Sequence, residues 1–330
     1  MVPNIGIEQP LVSVIIPTYN RCNYLQAAID SAIKQTYENI EIIISDNCSI
    51  DNTQDIVESF LDSRIKYWQH TQNIGMFANQ MHAFKMAQGK YIASLHDDDI
   101  WEPDFLAKLV PALETSPNLI LAFCDQYIIN DEGNIDHVAT ERYTNAYKRH
   151  ILEAGIYQQF DQIGLINKSI PTAAACVIRK DLINWDIIPA EVEGMWDLYL
   201  TYLCCTSNYG AYYCPERLAN YREHLYTDTM LSGHRDAQAK IRKAKSEIFC
   251  YQKFMEDSRL KDFHAYFQKK WLEAHTTLAI GLLRIEQVKA ARYYIWKAIK
   301  AQAFNLRNLA TLTLSYTPRS ITNQLLGVSK

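Results

Sequence analysis

Residues 11–47 read LVSVIIPTYNRCNYLQAAIDSAIKQTYENIEIIISDN. The stretch opens on a β-branched apolar run, 11–16, stopped by Pro17. Such a run reads as a strand buried on both faces, and therefore as a parallel one. Leu25, Ala28, Ile29, Ala32 and Ile33 then recur at helical spacing, which predicts an amphipathic helix over 23–35. A second apolar run, 40–44, ends at Ser45-Asp46-Asn47. Strand, helix and strand in this order make a parallel unit with a right-handed crossover.

The same alternation continues outward. Residues 52–61 read as helix, 65–68 as a shorter strand, 76–88 as helix and 91–95 as strand. Trp101-Glu102-Pro103-Asp104 opens a helix over 104–114, and 119–123 form the strand beyond it. The predicted fold class is α/β, a mostly parallel sheet flanked by helices. Ligands of such sheets bind outside the carboxyl ends of the strands. Three polar clusters fall there: TYNR after the first strand, SDNCS after the second and HDDD after the fourth. From 124 to 190 the pattern is less regular, with a hairpin turn expected at 130–134. Residues 195–206 read as an apolar helix and 210–221 as strand and turn. After about 235 the signals are helical. Over 286–303, Val288, Ala291, Ile295, Ala298 and Ile299 share one face, while Lys289, Arg292 and Lys300 line another.

Composition bounds the class. A chain of 330 residues with 48% hydrophobic and 21% charged residues is globular, and its length suits one large domain plus a smaller one. The eight cysteines are scattered without a CxxC pair, several of them in apolar runs. They read as buried free thiols of a reducing compartment rather than disulfides or a zinc site. The first ten residues lack a secretory pattern, and no stretch reaches the roughly 18 apolar residues of a membrane span. The expected location is cytoplasmic. Residues 231–330 hold 18 Lys+Arg against 7 Asp+Glu, whereas 1–230 hold 15 against 30. The split predicts two parts, 10–230 and 231–330, the second either lying peripherally on an anionic membrane surface or packing by its apolar stripe with solvated lysines.

Asp97-Asp98-Asp99 is the strongest chemical signal. Three adjacent carboxylates at a strand end repel one another, so a cation compensates them or one takes a proton. Oxygen donors of this kind suit Mg²⁺ or Mn²⁺, which can bridge a diphosphate. The competing reading is a solvated acidic turn capping the next helix. Asp46 is placed to accept hydrogen bonds from a base or ribose, or to form a turn; Asp51 reads as a helix cap. Asn73-Ile74-Gly75 supplies a tight turn before a helix.

Taken in order, VSVIIPTYNR (12–21), Gln35-Thr36-Tyr37, IEIIISDNCSIDNT (40–53), NIGMFAN (73–79), GKYIASLHDDDIWEPDFL (89–106), MWDLYL (195–200) and NYREH (220–224) resemble the successive signatures of family-two glycosyltransferases. The resemblance covers roughly residues 10–230. It implies a GT-A catalytic domain over 10–230, followed by a basic helical region over 231–330. It implies transfer of a sugar, with inversion, from a nucleotide-diphosphate donor, commonly a UDP-sugar, to a saccharide or lipid-linked acceptor in polysaccharide or glycolipid synthesis. Carried onto this chain, Pro17, Thr18, Tyr19 and Asp46 would cradle the nucleoside with Asn73 and Gly75. Asp97 would touch the ribose, Asp98 or Asp99 would bind Mn²⁺ or Mg²⁺, and His224 would complete the metal or phosphate site. Two departures stand out. Many relatives carry an aspartate where this chain has His96. The acidic pair expected around WDL is replaced by Met195, which leaves Asp197 as the candidate base, with Glu193 or Glu191 as substitutes.

Two other classes compete. A metal-dependent nucleotidyltransferase would also use acidic strand ends, but its glycine-rich basic loop is missing from TYNRCN. A catalytically degenerate binding module would explain Met195. Nothing in the pattern points to a nucleic-acid partner.

Overall fold

The computed structural model describes residues 9–225, 236–301 and 305–326. The predicted boundary at 230/231 and positions 302–303 of the helix expected over 286–303 lie outside the described residues. Two compact units are present: residues up to Ile188 together with Leu200–Glu223, and Pro189–Tyr199 together with the chain from His224 on.

The first unit is built on nine strands: β1 (Val12–Thr18), β2 (Ile40–Asp46), β3 (Ile65–Gln69), β4 (Tyr91–Ser94), β5 (Ile100–Trp101), β6 (Leu119–Ile129), β7 (Gly155–Tyr157), β8 (Cys176–Arg179) and β9 (Gly210–Arg222). Their order is β3-β2-β1-β4-β8-β6-β9-β5, with β7 beside β9. The half β3-β2-β1-β4 is parallel throughout; β8 enters antiparallel to β4 and β6, and β6 runs parallel to β9. All seven residues of β2 are buried, as a strand covered on both faces requires. Val12, Val14 and Ile16 join Leu25, Ala28, Ile29 and Ala32 of α1 (Cys22–Ile33) in one apolar cluster. Helix α2 (Thr53–Ser59) links β2 to β3. Helix α3 (Met76–Met86) packs on β1 and β2 and buries Ala83 and Phe84. Helix α4 (Phe105–Thr115) lies on β6, and α5 (His137–Ala146) follows it.

At the amino edge of the sheet, Gly89 passes so close to β1 that a Cβ would meet Leu11 O and Ser13 N at 2.7 Å. A buried polar knot fills the same edge: Ser13 Oγ donates to Glu41 Oε1 (2.5 Å), and Lys66 Nζ lies 2.6 Å from Glu41 Oε2. The polar business of this edge is structural, which leaves the opposite edge for ligands.

Helix α6 (Trp196–Cys205) runs from one unit into the other. The second unit is helical: α7 (Ala237–Glu256), α8 (His264–Arg284), α9 (Val288–Ala301), α10 (Leu306–Leu314) and α11 (Arg319–Leu325). Ile241 and Ala244 pack with Leu278, Ala279, Leu282 and Leu283, and with Ala291 and Ile295. This unit also takes in 189–199, which the sequence boundary assigns to the catalytic part. Val192 and Met195 are buried, and the Gly194 N–H donates to Ser246 Oγ (3.2 Å), so the turn is fastened to α7. Among the described residues, no helix is long and apolar enough to cross a membrane.

Candidate active site at the carboxyl edge of the sheet

Because β1, β2 and β4 are parallel, their carboxyl ends share one edge, and the three polar clusters meet there. The acidic turn leaving β4 is tight, with Asp99 N donating to His96 O (3.1 Å). The loop that follows α1 clamps the chain just beyond it. Gln35 Nε2 donates to Glu102 O (2.8 Å), Leu106 N donates to Gln35 Oε1 (3.0 Å), and Thr36 N donates to Pro103 O (2.9 Å). Trp101 Nε1 donates to Ala174 O (2.7 Å) from within the core. The triplet therefore sits in a turn fixed at its far end, not in a solvated flap.

The three carboxylates have unequal surroundings. Asp98 Oδ2 lies 2.5 Å from Arg21 Nη1, a partner 77 residues away supplied by the loop after β1. Burial works against the Arg21 charge, but Asp97 and Asp98 outweigh it and hold its pKa above the usual arginine value. Burial pushes the Asp97 carboxyl up to about 7, reinforced by Asp98 and opposed by Arg21, the Thr18 hydroxyl and the Tyr19 N–H. Asp99 is 2% exposed, and burial followed by Asp98 pushes it well above the usual carboxylate range. Its Oδ1 accepts from Arg222 N (2.9 Å); its Oδ2 is buried and has no hydrogen-bond partner among the described residues. The Arg222 side chain braces the same turn, donating from Nε to Asp98 O (2.7 Å) and from Nη1 to Asn130 O (3.0 Å).

A buried carboxylate oxygen without a donor is costly, and the compensating group is a proton or a cation. His96, Asp98 and Asp99 offer ligand atoms all within 4.8 Å of one another. One imidazole nitrogen and two carboxylates form a donor set that fits a divalent cation. His96, noted in the sequence only as a departure, is thus part of the cluster.

On the other side of β1, the Asn73 turn is docked by Asn47. The Asn47 side chain donates to Asn73 Oδ1 (3.1 Å) and accepts from Ile74 N (2.7 Å), while its backbone N–H donates to Thr18 O (2.9 Å). Gly75 (φ 90°, ψ 152°) then starts α3 in a conformation essentially reserved for glycine. Tyr19, Ile74 and Met76 are exposed around this turn, at 45%, 37% and 45%. Asp46, at the end of β2, is held by protein donors. It is fully buried, with Oδ1 accepting from Ser49 N (2.9 Å) and Oδ2 from Tyr67 Oη (2.8 Å) and Gln69 Nε2 (3.1 Å). These donors hold the loop after β2 in place. Asp51, expected as the helix cap, lies one residue before the N-cap Asn52; it accepts from Thr53 N (3.2 Å) and Cys22 N (3.0 Å) and so ties the start of α2 to that of α1.

The structure thus brings together Thr18, Tyr19, Asp97, Asp98, Asp99 and the Asn73–Gly75 turn, with Pro17 half-buried inside β1. Asp197, half-buried in the first turn of α6, and His224, buried, belong to the other unit. Arg21, Asn47 and Arg222 were missed as site residues, although each lies within a stretch that carries the resemblance.

The profile described as "Glycosyl transferase family 2" matches residues 13–184. The chain belongs to glycosyltransferase family 2. It is 31% identical over 248 residues to an uncharacterized glycosyltransferase of Haemophilus influenzae, covering 73% of this chain and 74% of that one. It is 38% identical over 121 residues to the Escherichia coli UDP-Glc:alpha-D-GlcNAc-diphosphoundecaprenol beta-1,3-glucosyltransferase WfaP. That match covers 37% of this chain and 48% of the enzyme, so the chain spans about half of that relative. The crystal structure of residues 1–349 of S. aureus TarS in complex with UDP-GlcNAc superposes with a TM-score of 0.63 at 16% identity, over 96% of this chain and 92% of TarS. The fold of this family-2 transferase is accordingly the GT-A type, with a helical C-terminal region.

Proposed function

We propose that this glycosyltransferase moves a sugar from a UDP-sugar to a hydroxyl of a saccharide or lipid-linked acceptor, using Mn²⁺ or Mg²⁺ bound by His96, Asp98 and Asp99. The observation that carries the reading is Asp99 Oδ2, buried and unpartnered in a turn that already holds three carboxylates. An imidazole among the donors favours Mn²⁺ over Mg²⁺, which prefers oxygen ligands. When bound, the cation offsets charge building on the leaving diphosphate. Arg21 holds Asp98 in place and Arg222 fixes the turn from behind. Tyr19 and the Asn73–Gly75 turn offer the base and ribose a partly apolar cradle, with Asp97 toward the ribose.

Asp197, assigned from the resemblance of MWDLYL, takes the proton of the acceptor hydroxyl as its oxygen attacks the anomeric carbon. The bond from that carbon to the diphosphate oxygen breaks in the same step, so one displacement inverts the centre. General-base help of this kind contributes about 10²–10⁴ in rate. His224, from NYREH, is assigned to the phosphate side on the same ground. The uridine and lipid-linked choices are supported by what WfaP acts on and by the UDP-GlcNAc held by TarS. All eight cysteines are free, six of them buried, which favours a cytoplasmic location.

The test is a nucleotide-release assay over a panel of sugar nucleotides, with Mn²⁺, with Mg²⁺ and with a chelator. Chelator-sensitive release of a nucleoside diphosphate from one donor is the expected result. Release of pyrophosphate would reassign the chain to nucleotidyl transfer. Silence together with no calorimetric binding of any nucleoside diphosphate would leave a non-catalytic module.

A further inference from the structure

The helical unit carries a surface that holds none of the residues assigned above to sugar transfer. Helix α9 has two dissimilar faces. Ala291, Ile295 and Ala298 are fully buried in the core of the unit. Lys289, Tyr293, Trp296, Lys297 and Lys300 are exposed. At 3.6 residues per turn these five fall within an arc of about 100°, on the side away from the buried residues. Tyr293 is 56% exposed and Trp296 44%, and Lys297 Nζ stands 4.9 Å from the centre of the Tyr293 ring. Helix α9 contains no acidic residue. From 287 to 330 the sequence has seven Lys+Arg and no Asp or Glu. Helix α10 continues the theme, with Leu306 79% and Leu309 39% exposed.

A face that only kept the protein in solution would need the lysines and not the two large rings. A face meant for another protein core would need the rings and not three lysines without a carboxylate partner among the described residues, which would also repel a second copy of themselves. Rings set among lysine stems match the headgroup level of a bilayer, where aromatic side chains sit at the boundary and lysines reach to lipid phosphates. We propose that the outer face of α9 binds an anionic lipid bilayer, with Tyr293 and Trp296 entering the headgroup region and Lys289, Lys297 and Lys300 pairing with lipid phosphates. Each lysine near an anionic surface changes partitioning roughly fivefold, so the three together supply on the order of a hundredfold.

The experiment is cosedimentation of the full chain with phosphatidylcholine vesicles containing or lacking phosphatidylglycerol, at low and high salt. It reads lipid binding alone, so its outcome is independent of whether sugar transfer is found. Expected are salt-sensitive recovery with phosphatidylglycerol only, a loss of about a hundredfold in partitioning for the triple change K289Q/K297Q/K300Q, and a further loss for Y293A/W296A. All five side chains are exposed, and unchanged circular dichroism checks that the variants fold. Equal recovery with both vesicle types would overturn the assignment, as would a triple variant that binds like the parent. Self-association without lipid that Y293A/W296A removes, or retention on RNA with none on vesicles, would overturn it in favour of another occupant.

Discussion

Replacing Asp99 by asparagine should stabilise the metal-free protein and at the same time remove its response to Mn²⁺. Asparagine keeps the oxygen that accepts from Arg222 N and replaces Oδ2, the buried atom without a partner, by an uncharged amide. An unsatisfied buried polar group costs about 1–3 kcal/mol, and more when charged; the amide is still buried and polar, so the metal-free variant sheds only the charged part and should gain on the order of 1 kcal/mol at pH 8. Burial and Asp98 both oppose the Asp99 charge, which gives the change its sign. In the parent, a cation at about 100 times its dissociation constant adds about 2.7 kcal/mol of stability. For a domain of about 150–250 residues that raises the midpoint by roughly 5–10 °C. Thermal unfolding of parent and variant, each with and without Mn²⁺, reads both effects. A variant less stable than the parent without metal, yet shifted equally by Mn²⁺, would refute the reasoning: Asp99 would then be a structural acceptor and the cation would bind elsewhere.

The remaining predictions use other parts of the same edge. The Asp97 carboxyl, pushed up to about 7 by burial and then by Asp98, stands above its unfolded value of about 3.9, so its stabilising contribution is complete below that value and is lost as pH rises through about 7. The metal-free protein should therefore lose roughly 2–4 kcal/mol between about pH 4 and 8 in denaturant titrations, and saturating Mn²⁺ should flatten the slope; a stability that climbs over that range without metal would be the contrary result. Asn47→Ala removes both side-chain ties to the Asn73 turn, costing about 1–3 kcal/mol and weakening UDP binding about tenfold by calorimetry, whereas unchanged UDP affinity would detach this turn from the nucleoside. Asp197→Asn should lower turnover by about 10²–10⁴ without changing UDP affinity, and near-normal turnover would move the base role to Glu193 or Glu191.

The parallel half of the sheet was legible because its strands are buried on both faces and so appear as unbroken apolar runs; β2 is the clearest case. The second half was not, for a reason that β6 makes plain. The sequence suggests a strand over 119–123, yet β6 continues to Ile129 through Asp125 and Gln126, both buried. Asp125 is tolerated there because Arg149 Nε (2.5 Å), Thr144 Oγ1 (3.0 Å) and Arg217 Nε (3.4 Å) surround it. Those partners lie 19 to 92 residues away, and no local window holds them. Strand β9 repeats the lesson: Cys214-Pro215-Glu216-Arg217 looks like a turn, but it is a bulge in one 13-residue strand, with the register slipping between Cys124/Cys214 and Asp125/Arg217.

The same distinction divides the site. Residue type and strand-end position were enough to single out Asp97–Asp99, because crowded carboxylates need compensation whatever surrounds them. They could not rank the three. The ranking comes from Arg21 reaching Asp98 across 77 residues and from the Arg222 N–H reaching Asp99 across 123, which leaves Asp99 Oδ2 buried without a partner among the described residues. Asp46 is held in the same way: by position it reads as open to a ligand or as a turn former, and in the fold Tyr67 and Gln69 on the neighbouring strand donate to one oxygen and Ser49 to the other. Adjacent carboxylates advertise a charge problem in the sequence; which atom still has that problem after folding is decided by long-range donors, and that atom is where a cation has most to gain.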